Sequence, residues 1–324
     1  MKTAKKVWIT VAICLIVLGA GVSMCSLAKL DFNFESLATQ KAISNEHKIT
    51  DDFSNIKIDV DTSDIEFVYS QTDECMVVFV ENEKTKHNVT VNNNTLVIDV
   101  EDNRKWYDHI GISFSEMSVT VHLPKEKYVS LNIETNTSDI TIPKDFTFDS
   151  IDIKNSTGDV SCNASTANDL KIKTSTGHIN IDNITAANMN LTTSTGGINV
   201  KSADCSGKIE TKVSTGKTNL TNVKCESLIS NGNTGDIKLT DVIAAKDFNI
   251  KRSTGDIRFD ECDAGEILIT TDTGDVGGTL LTDKVFICKT DTGDIDVPKT
   301  TTGGRCEITT DTGDIEIIKI ETVK

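Results

Sequence analysis

Hydrophobic and polar residues alternate along short segments, and pairs of these segments flank a recurring Thr-Gly pair. In LKIKTSTGHINI, residues 170–181, apolar side chains lie seven and five places before Gly177 and two and four places after it. Alternation over a few residues is typical of a half-buried β-strand. The inward-facing parity changes across the glycine, which favours backbone conformations that other residues resist. The pattern therefore predicts two short strands per unit with a bend between them.

The Thr-Gly pair recurs at an almost constant spacing. Nine such glycines follow one another at steps of nineteen or twenty residues, and they are Gly158, Gly177, Gly196, Gly216, Gly235, Gly255, Gly274, Gly293 and Gly313. A fixed period in this range is the sequence signature of a solenoid. Parallel coils stacked about 4.8 Å apart share one continuous core, which two strands alone cannot form. We predict an all-β protein, a parallel β-solenoid (β-helix) with coils of 19–20 residues, in which the threonines form one ladder.

The same template extends upstream with serine in place of glycine. LNIETNTSDITI places Ser138 one period before Gly158, and IKIDVDTSDIEF places Ser63 at the corresponding position. The chain between these matches lacks the period but contains the strand-like segments MVVFV, HNVTV, TLVIDV and MSVTVHL. Terminal repeats need caps that block edge pairing. We predict a first coil with inserted hairpin and capping strands over 53–130, followed by regular solenoid repeats over 131–324.

An apolar segment precedes the repeats. Residues 7–28 carry no charge and follow three lysines. A helix of about twenty apolar residues spans the hydrocarbon core of a bilayer, and basic residues stay on its cytoplasmic side. The sequence predicts a cytoplasmic stub and one transmembrane helix within 1–28, a linker over 29–52, and an extracytoplasmic remainder. The predicted location is therefore the cell membrane, crossed once.

Two other interpretations of this segment stay open. A cleavable signal peptide has a shorter apolar region and a small-x-small cleavage site, which AGVSMCSLA matches poorly. Lipidation of Cys25 requires a small residue directly before the cysteine, where this chain has Met24. All three interpretations place the bulk of the chain outside the cytoplasmic membrane.

The repeats and the apolar segment together resemble a known family. Apolar pairs around TSTGD or TDTGDI at steps of nineteen to twenty residues, behind one hydrophobic segment, are similar to bacterial β-strand-repeat proteins of a domain of unknown function. Members are often labelled "putative adhesin", and the match covers about residues 53 to 320. The resemblance implies a membrane-anchored β-solenoid without catalytic residues. It also implies envelope-stress signalling as a role of some relatives.

Charge and aromatic content narrow the classes of partner. The formal net charge is -16, and aromatic residues make up 5% of the 324 residues. Such a chain repels phosphate backbones, and no Lys/Arg-rich run with interleaved aromatics offsets the repulsion. We therefore expect no nucleic-acid partner. Few rings are present to stack on sugars, which favours a protein over a glycan.

Aspartates around the last three glycines are the first candidate for chemistry. Stacked carboxylates could hold Ca²⁺, and these residues are Asp272, Asp275, Asp291, Asp294, Asp311 and Asp314. His178, Gly197 and Lys217 interrupt the column that follows the glycines, and the nonapeptide of calcium-binding β-helices is absent. We expect these side chains to cap turns, and we predict no metal and no cofactor.

Nine cysteines raise the question of disulfides. Cys14 and Cys25 lie in or beside the apolar segment, and the seven that remain cannot pair completely. Cys205 and Cys225 occupy the same place in consecutive coils and are close enough to bridge, which the sequence leaves open. Cysteines that replace inward apolar residues are predicted to be small core side chains; they are Cys162, Cys288 and Cys306. Without a C-x-x-C pair, we expect no zinc site.

One segment combines several reactive side chains. RKWYDHIG lies between predicted strands of the inserted region, so we expect an exposed loop whose tryptophan packs on the cap. Its reactive residues are Arg104, Trp106, Tyr107, Asp108 and His109. The sequence shows no recurring carboxylate pair, nucleophile-base arrangement or phosphate loop. We therefore predict no enzymatic activity and no catalytic residues.

Taken with the repeats, these observations favour a membrane-anchored extracytoplasmic β-solenoid that acts as a non-enzymatic binding or adhesin-like module. Its partner would be a cell-envelope or extracellular protein or glycan. One alternative is an accessory protein of envelope-stress or other signalling, and another is a polysaccharide-active β-helix enzyme. The sequence separates the first two poorly.

Overall fold

The structure is a computed structural model that describes residues 2–29, 42–72, 74–82, 85–102, 117–144 and 146–319. Its helix and first strands are α1 (Lys2–Lys29), β1 (Ile43–Ile49), β2 (Asn55–Val60), β3 (Asp64–Tyr69), β4 (Cys75–Glu81), β5 (Thr85–Asn92), β6 (Thr95–Asp102), β7 (Ser118–Leu123), β8 (Lys127–Thr137), β9 (Ile140–Ile142), β10 (Thr147–Thr157), β11 (Val160–Cys162) and β12 (Ser165–Thr166). The remaining strands are β13 (Asp169–Thr176), β14 (Ile179–Ala186), β15 (Asn188–Thr195), β16 (Ile198–Cys205), β17 (Lys208–Thr215), β18 (Thr218–Thr234), β19 (Ile237–Thr254), β20 (Ile257–Thr273), β21 (Val276–Leu280), β22 (Lys284–Thr292), β23 (Ile295–Asp296), β24 (Gly304–Thr312) and β25 (Ile315–Lys319).

Each strand of a coil pairs in parallel with the equivalent strands of neighbouring coils. In β13, for example, Ile172 lies opposite Ile153 of β10 and Leu191 of β15. All three side chains point inward and are buried in one continuous hydrophobic core. Stacking buries the apolar face that a single coil would expose. The predicted all-β parallel β-solenoid is confirmed.

The Thr-Gly corners require glycine for two reasons. At the nine glycines φ lies between +121° and +148°, a range that residues with side chains rarely adopt. A Cβ atom at Gly196 would also lie 2.1 Å from the carbonyl oxygen of Gly177 in the neighbouring coil. The predicted bend is therefore a left-handed corner where two backbones approach closely.

A second bend lies six residues after the glycine in five consecutive coils. The residue there has a φ of 52° to 56° without being glycine. The five are Asn183, Ser202, Asn222, Asp241 and Glu261. Asn and Asp tolerate this left-handed conformation better than most residues. The backbone conformation therefore explains why the second turn is polar in sequence.

A cap covers the N-terminal end of the stack. On one side β6 pairs in parallel with β2 of the first coil, and β5 pairs antiparallel with β6. On the other side β7 pairs in parallel with β3, β4 pairs antiparallel with β7, and β1 pairs antiparallel with β4. Strand β1 lies in the segment for which the sequence predicts a linker. The outermost cap strands on both sides are therefore not solenoid strands.

The last two coils do not stack in chain order. Strand β20 pairs with β24, and β22 pairs with the opposite edge of β24. In the same way β25 lies between β21 and β23. The coil formed by residues 304–319 is thus inserted between its two predecessors, and the coil formed by residues 284–296 ends the stack. Both coils carry TDTGDI, so either corner fits either position.

Candidate functional site

The aspartates that follow the corner glycines form a hydrogen-bonded ladder between coils. Oδ1 of Asp256 accepts a hydrogen bond from the backbone N–H of Asp275 at 3.0 Å. Oδ1 of Asp275 accepts from Asp314 at 2.9 Å, and Oδ1 of Asp314 accepts from Asp294 at 2.8 Å. Where histidine replaces aspartate, Nδ1 of His178 accepts from the backbone N–H of the next corner at 3.0 Å. The carboxylates of this column therefore cap the corner of a neighbouring coil and not a turn of their own coil.

The candidate metal ligands do not converge. Asp291 forms an ion pair with Lys289, whose Nζ lies 3.0 Å from its Oδ1, and Asp272 and Asp311 are exposed on the strand before the corner. Within the described ranges, no three His, Cys, Asp or Glu side chains come together in an arrangement that could hold a metal ion. Calcium binding by these columns therefore has no geometric support there.

The cysteines are free thiols. Cys205 and Cys225 are both buried, and the thiol of Cys205 donates to the backbone oxygen of Ala187 at 3.0 Å. Burial raises the pKa of the Cys225 thiol to about 12. Cys162 and Cys306 are core residues as predicted, whereas Cys288 is only half-buried because its coil ends the stack. The RKWYDHIG segment, with Arg104 to His109, lies outside the described residues.

A Ser-His-Glu arrangement that the sequence analysis missed connects the cap to the first coil. Oγ of Ser63, at the first serine corner, lies 3.0 Å from Nε2 of His87. Nδ1 of the same ring lies 3.2 Å from Oε2 of Glu81, which also accepts the backbone N–H of His87 at 2.7 Å. The amide of Asn45 donates to the other oxygen of Glu81 at 2.5 Å. Four separate elements meet in this network.

The network has the atom order of a catalytic triad, in which a carboxylate orients imidazole and imidazole accepts from a serine hydroxyl. Whether the network can act in catalysis depends on whether a substrate can reach the serine hydroxyl. Ser63 is 1% exposed and His87 and Glu81 are each 5% exposed, so a substrate cannot contact the hydroxyl. The ring of His87 stacks on Phe79 at 4.7 Å, and burial lowers the pKa of His87 although Glu81 opposes the shift. The arrangement is a buried polar contact that joins the cap to the solenoid, and it is here called the Ser-His-Glu lock.

Sequence reasoning missed the lock because its members are distant and non-periodic. Ser63 and His87 are separated by 24 positions, and no local motif links them. The one available signal is the serine that replaces glycine at the first corner, since a side chain at that position faces the cap.

The front face is the surface formed by outward side chains of the strands that precede each corner. Four lysines on it occupy equivalent positions, and this set is here called the lysine column: Lys154, Lys173, Lys212 and Lys251. All four are exposed. Thr192 lies in register between the second and third, and Asn231 lies between the third and fourth.

The N-terminal helix has the length and composition of a membrane span. Residues Lys5–Lys29 have a mean hydropathy of 2.4 over their most apolar window, and none of that window is buried. A helix of this kind serves as a membrane anchor or as a signal sequence.

Comparisons with known proteins find a matching family model and several solved structures of low sequence identity. A family model described as Toastrack DUF4097 matches residues 53–212 and 204–322. Among solved structures, a "putative adhesin" from Bacteroides fragilis is 16% identical with a TM-score of 0.43, and the alignment covers 86% of this chain and 97% of that one. A "putative adhesin" from Parabacteroides distasonis is 13% identical with a TM-score of 0.48, covering 87% and 98%. A "putative lipid binding protein" from the same species is 14% identical with a TM-score of 0.40, covering 85% and 96%. Comparison with curated proteins finds no match.

Proposed function

The chain belongs to the Toastrack DUF4097 family, and from this premise we propose that it is a non-enzymatic binding module held at the outer face of the cell membrane. Its partner is an extracellular or cell-envelope polymer or protein. The signalling and polysaccharide-active alternatives stay hypotheses, because no observation on the described residues favours either one.

The observation that carries this proposal is the regularity of the exposed surface. The corner threonines from Thr157 to Thr312 are all exposed, and each lies opposite its equivalent in the neighbouring coil. A surface whose chemistry repeats about every 4.8 Å presents the same groups many times along one axis. Extended surfaces of this kind are the ones that solenoid proteins use for binding.

The sealed Ser-His-Glu lock supports the non-enzymatic part of the proposal. Catalysis requires a position where a reacting atom can approach both the nucleophile and stabilising donors. The hydroxyl of Ser63 has no such approach, since the residue is 1% exposed. The carboxylates of the ladder are likewise occupied by backbone amides.

The N-terminal helix α1 supports the proposed location at the cell membrane. Trp8, Leu15 and Ile16 are 73%, 66% and 70% exposed, and a helix with such an apolar surface is stable in a bilayer rather than in water. Lys5 and Lys6 before the apolar run favour a cytoplasmic N-terminus.

Location is tested on intact cells that express the full chain. Protease added to protoplasts should digest the solenoid, and complete protection would contradict the outside location. Sequencing of the mature N-terminus distinguishes a retained helix from a cleaved signal. For binding, the full chain in phosphatidylcholine nanodiscs is presented with arrays of cell-surface polysaccharides and proteins. Retention of one class above empty nanodiscs is expected, and no retention of any class contradicts the proposal.

A further inference from the structure

The charge of the chain is distributed unevenly. Residues 170–225 contain seven lysines and three acidic residues, a net charge of +4, whereas the remainder of the chain carries -20. Salt screens charges on a protein surface beyond about 8 Å at physiological ionic strength. The net charge of the whole chain therefore does not describe the surface of these coils, because a ligand in contact with them meets a local excess of lysine.

The lysine column lies on and beside these positive coils. Lys154 and Lys173 are directly opposite each other in adjacent strands, and the column ends five coil steps from its start, at Lys251. At about 4.8 Å per step the four ammonium groups are distributed over about 24 Å. Long, flexible side chains at this spacing can meet anionic groups that repeat every 5 to 10 Å.

The column has few internal partners. Lys154 lies 3.8 Å from Glu134, while Lys173, Lys212 and Lys251 form no ion pair with another described residue. On the corner side the adjacent outward positions hold neutral, mostly hydroxyl side chains; these are Ser156, Ser175, Ser194, Ser214, Asn233 and Ser253. No carboxylate therefore competes for the lysines from that side.

Placing lysines in register has an energetic disadvantage. Like charges directly opposite each other on neighbouring strands are destabilising. The fold does not require lysine here, since Thr192 and Asn231 occupy the same position in two of the coils. An anionic ligand would remove the repulsion between Lys154 and Lys173.

We propose that the lysine column binds a linear, thin polyanion that lies along the solenoid axis, with the serine hydroxyls donating further hydrogen bonds. This inference rests on the proposed binding function and names the chemistry of the partner. The ligand carries carboxylates or phosphodiesters at regular intervals, as acidic polysaccharides and polyol phosphates do. A thin polymer fits because the aspartate ladder lies just beyond the corner. A wide duplex would place phosphates over those carboxylates.

The test uses the full chain in phosphatidylcholine nanodiscs. The probes are polygalacturonate for carboxylates, poly(glycerol phosphate) for phosphodiesters, dextran as a neutral polymer, and duplex DNA. The test variant K173Q/K212Q/K251Q is matched by K201Q/K224Q/K238Q, which removes three exposed lysines from other faces. Affinity is measured by isothermal titration at several salt concentrations, and circular dichroism confirms that both variants are folded.

We expect the parent to bind at least one of the two polyanions and the test variant to bind it more than ten-fold more weakly, with the control within two-fold of the parent. The slope of log K against log salt should fall by about 2 in the test variant, since each charge removed from a flexible polyanion site contributes about 0.7. The polyanion that binds identifies the source of the negative charge.

Four results would overturn the inference. Equal loss in both variants would mean that only net charge matters, and equally tight binding of duplex DNA would exclude a thin polymer as the preferred ligand. Binding of dextran, or retention of a protein on the arrays that test the binding module, with neither polyanion bound, would reject the lysine column and leave the binding module intact. If no class of ligand binds, both proposals fail together.

Discussion

Replacing Gly196 by alanine should destabilise the solenoid far more than the same change at its neighbour Gly197. Gly196 has a φ of +137°, and a Cβ atom there would lie 2.1 Å from the oxygen of Gly177. A side chain in a sparsely populated backbone region costs about 1–3 kcal/mol. Relief of the contact separates the corners at Gly177 and Gly196, which are joined by hydrogen bonds from Gly177 N–H to the oxygen of Thr195 and from Ile179 N–H to the oxygen of Gly197. Two such bonds contribute about 1 kcal/mol each.

The expected loss for Gly196→Ala is therefore about 3–5 kcal/mol, a large part of the 5–15 kcal/mol that stabilises a typical domain. Gly197 has no positive φ, and a Cβ atom there meets Nδ1 of His178 at 3.1 Å and the oxygen of Lys217 at 3.2 Å. Small shifts relieve these contacts, so Gly197→Ala should cost less than about 1 kcal/mol.

Urea unfolding followed by circular dichroism gives both values from the same matched pair. Equal losses, or a loss below about 1 kcal/mol for Gly196→Ala, would refute the argument that two backbones meet at the corner. Because each coil contacts only its neighbours, hydrogen exchange should locate the loss in the coils next to residue 196.

Three further results are expected. Asp275→Ala should cost about 1 kcal/mol of stability through loss of the hydrogen bond from Asp314 N–H, whereas Asp275→Asn should cost less. The melting temperature of neither variant should respond to calcium or chelator. A calcium-dependent rise in the Tm of the parent that disappears in the Asn variant would contradict this prediction. The free energy of unfolding should fall as the pH decreases from 7 through 6.5, because a lowered pKa keeps His87 neutral in the folded protein while the unfolded chain binds the proton. His87→Gln should reduce this pH dependence, measured by urea titrations at pH 7.5 and 5.0. An unchanged pH dependence would exclude His87 as its source. A thiol reagent should label Cys205 and Cys225 only on unfolding, since both are buried and their pKa values are raised; fast labelling of the folded protein would show that these coils open.

Periodicity made the fold predictable, and departures from it limited the prediction. The spacing of apolar residues around each glycine predicts the inward side chains, because every coil must bury the same positions. Arg252 breaks this rule: it is buried where several other coils carry threonine, and its Nη1 donates to the oxygen of Val213 at 3.1 Å. The guanidinium occupies the space that Gly232 leaves empty, since a Cβ atom there would lie 1.4 Å from Nη1.

The lock between Ser63, His87 and Glu81 was not predictable for a different reason. Its geometry depends on how the cap folds back onto the first coil, which only the pairing of β4, β6 and β7 determines. The lysine column was not predicted because the net charge of -16 is a sum over the whole chain, and such a sum gives no sign of a local excess of lysine.

The inserted final coil makes the order of assembly differ from the order of synthesis. A chain that leaves the ribosome N-terminus first presents residues 284–296 before residues 304–319, yet the later segment separates the earlier one from β20. The stack therefore cannot grow by simple addition at its end, as a solenoid with coils in chain order could. A chain that stops after residue 303 lacks the segment that joins the end coil to the rest. The coil formed by residues 284–296 can therefore join the stack only after residues 304–319 have been made.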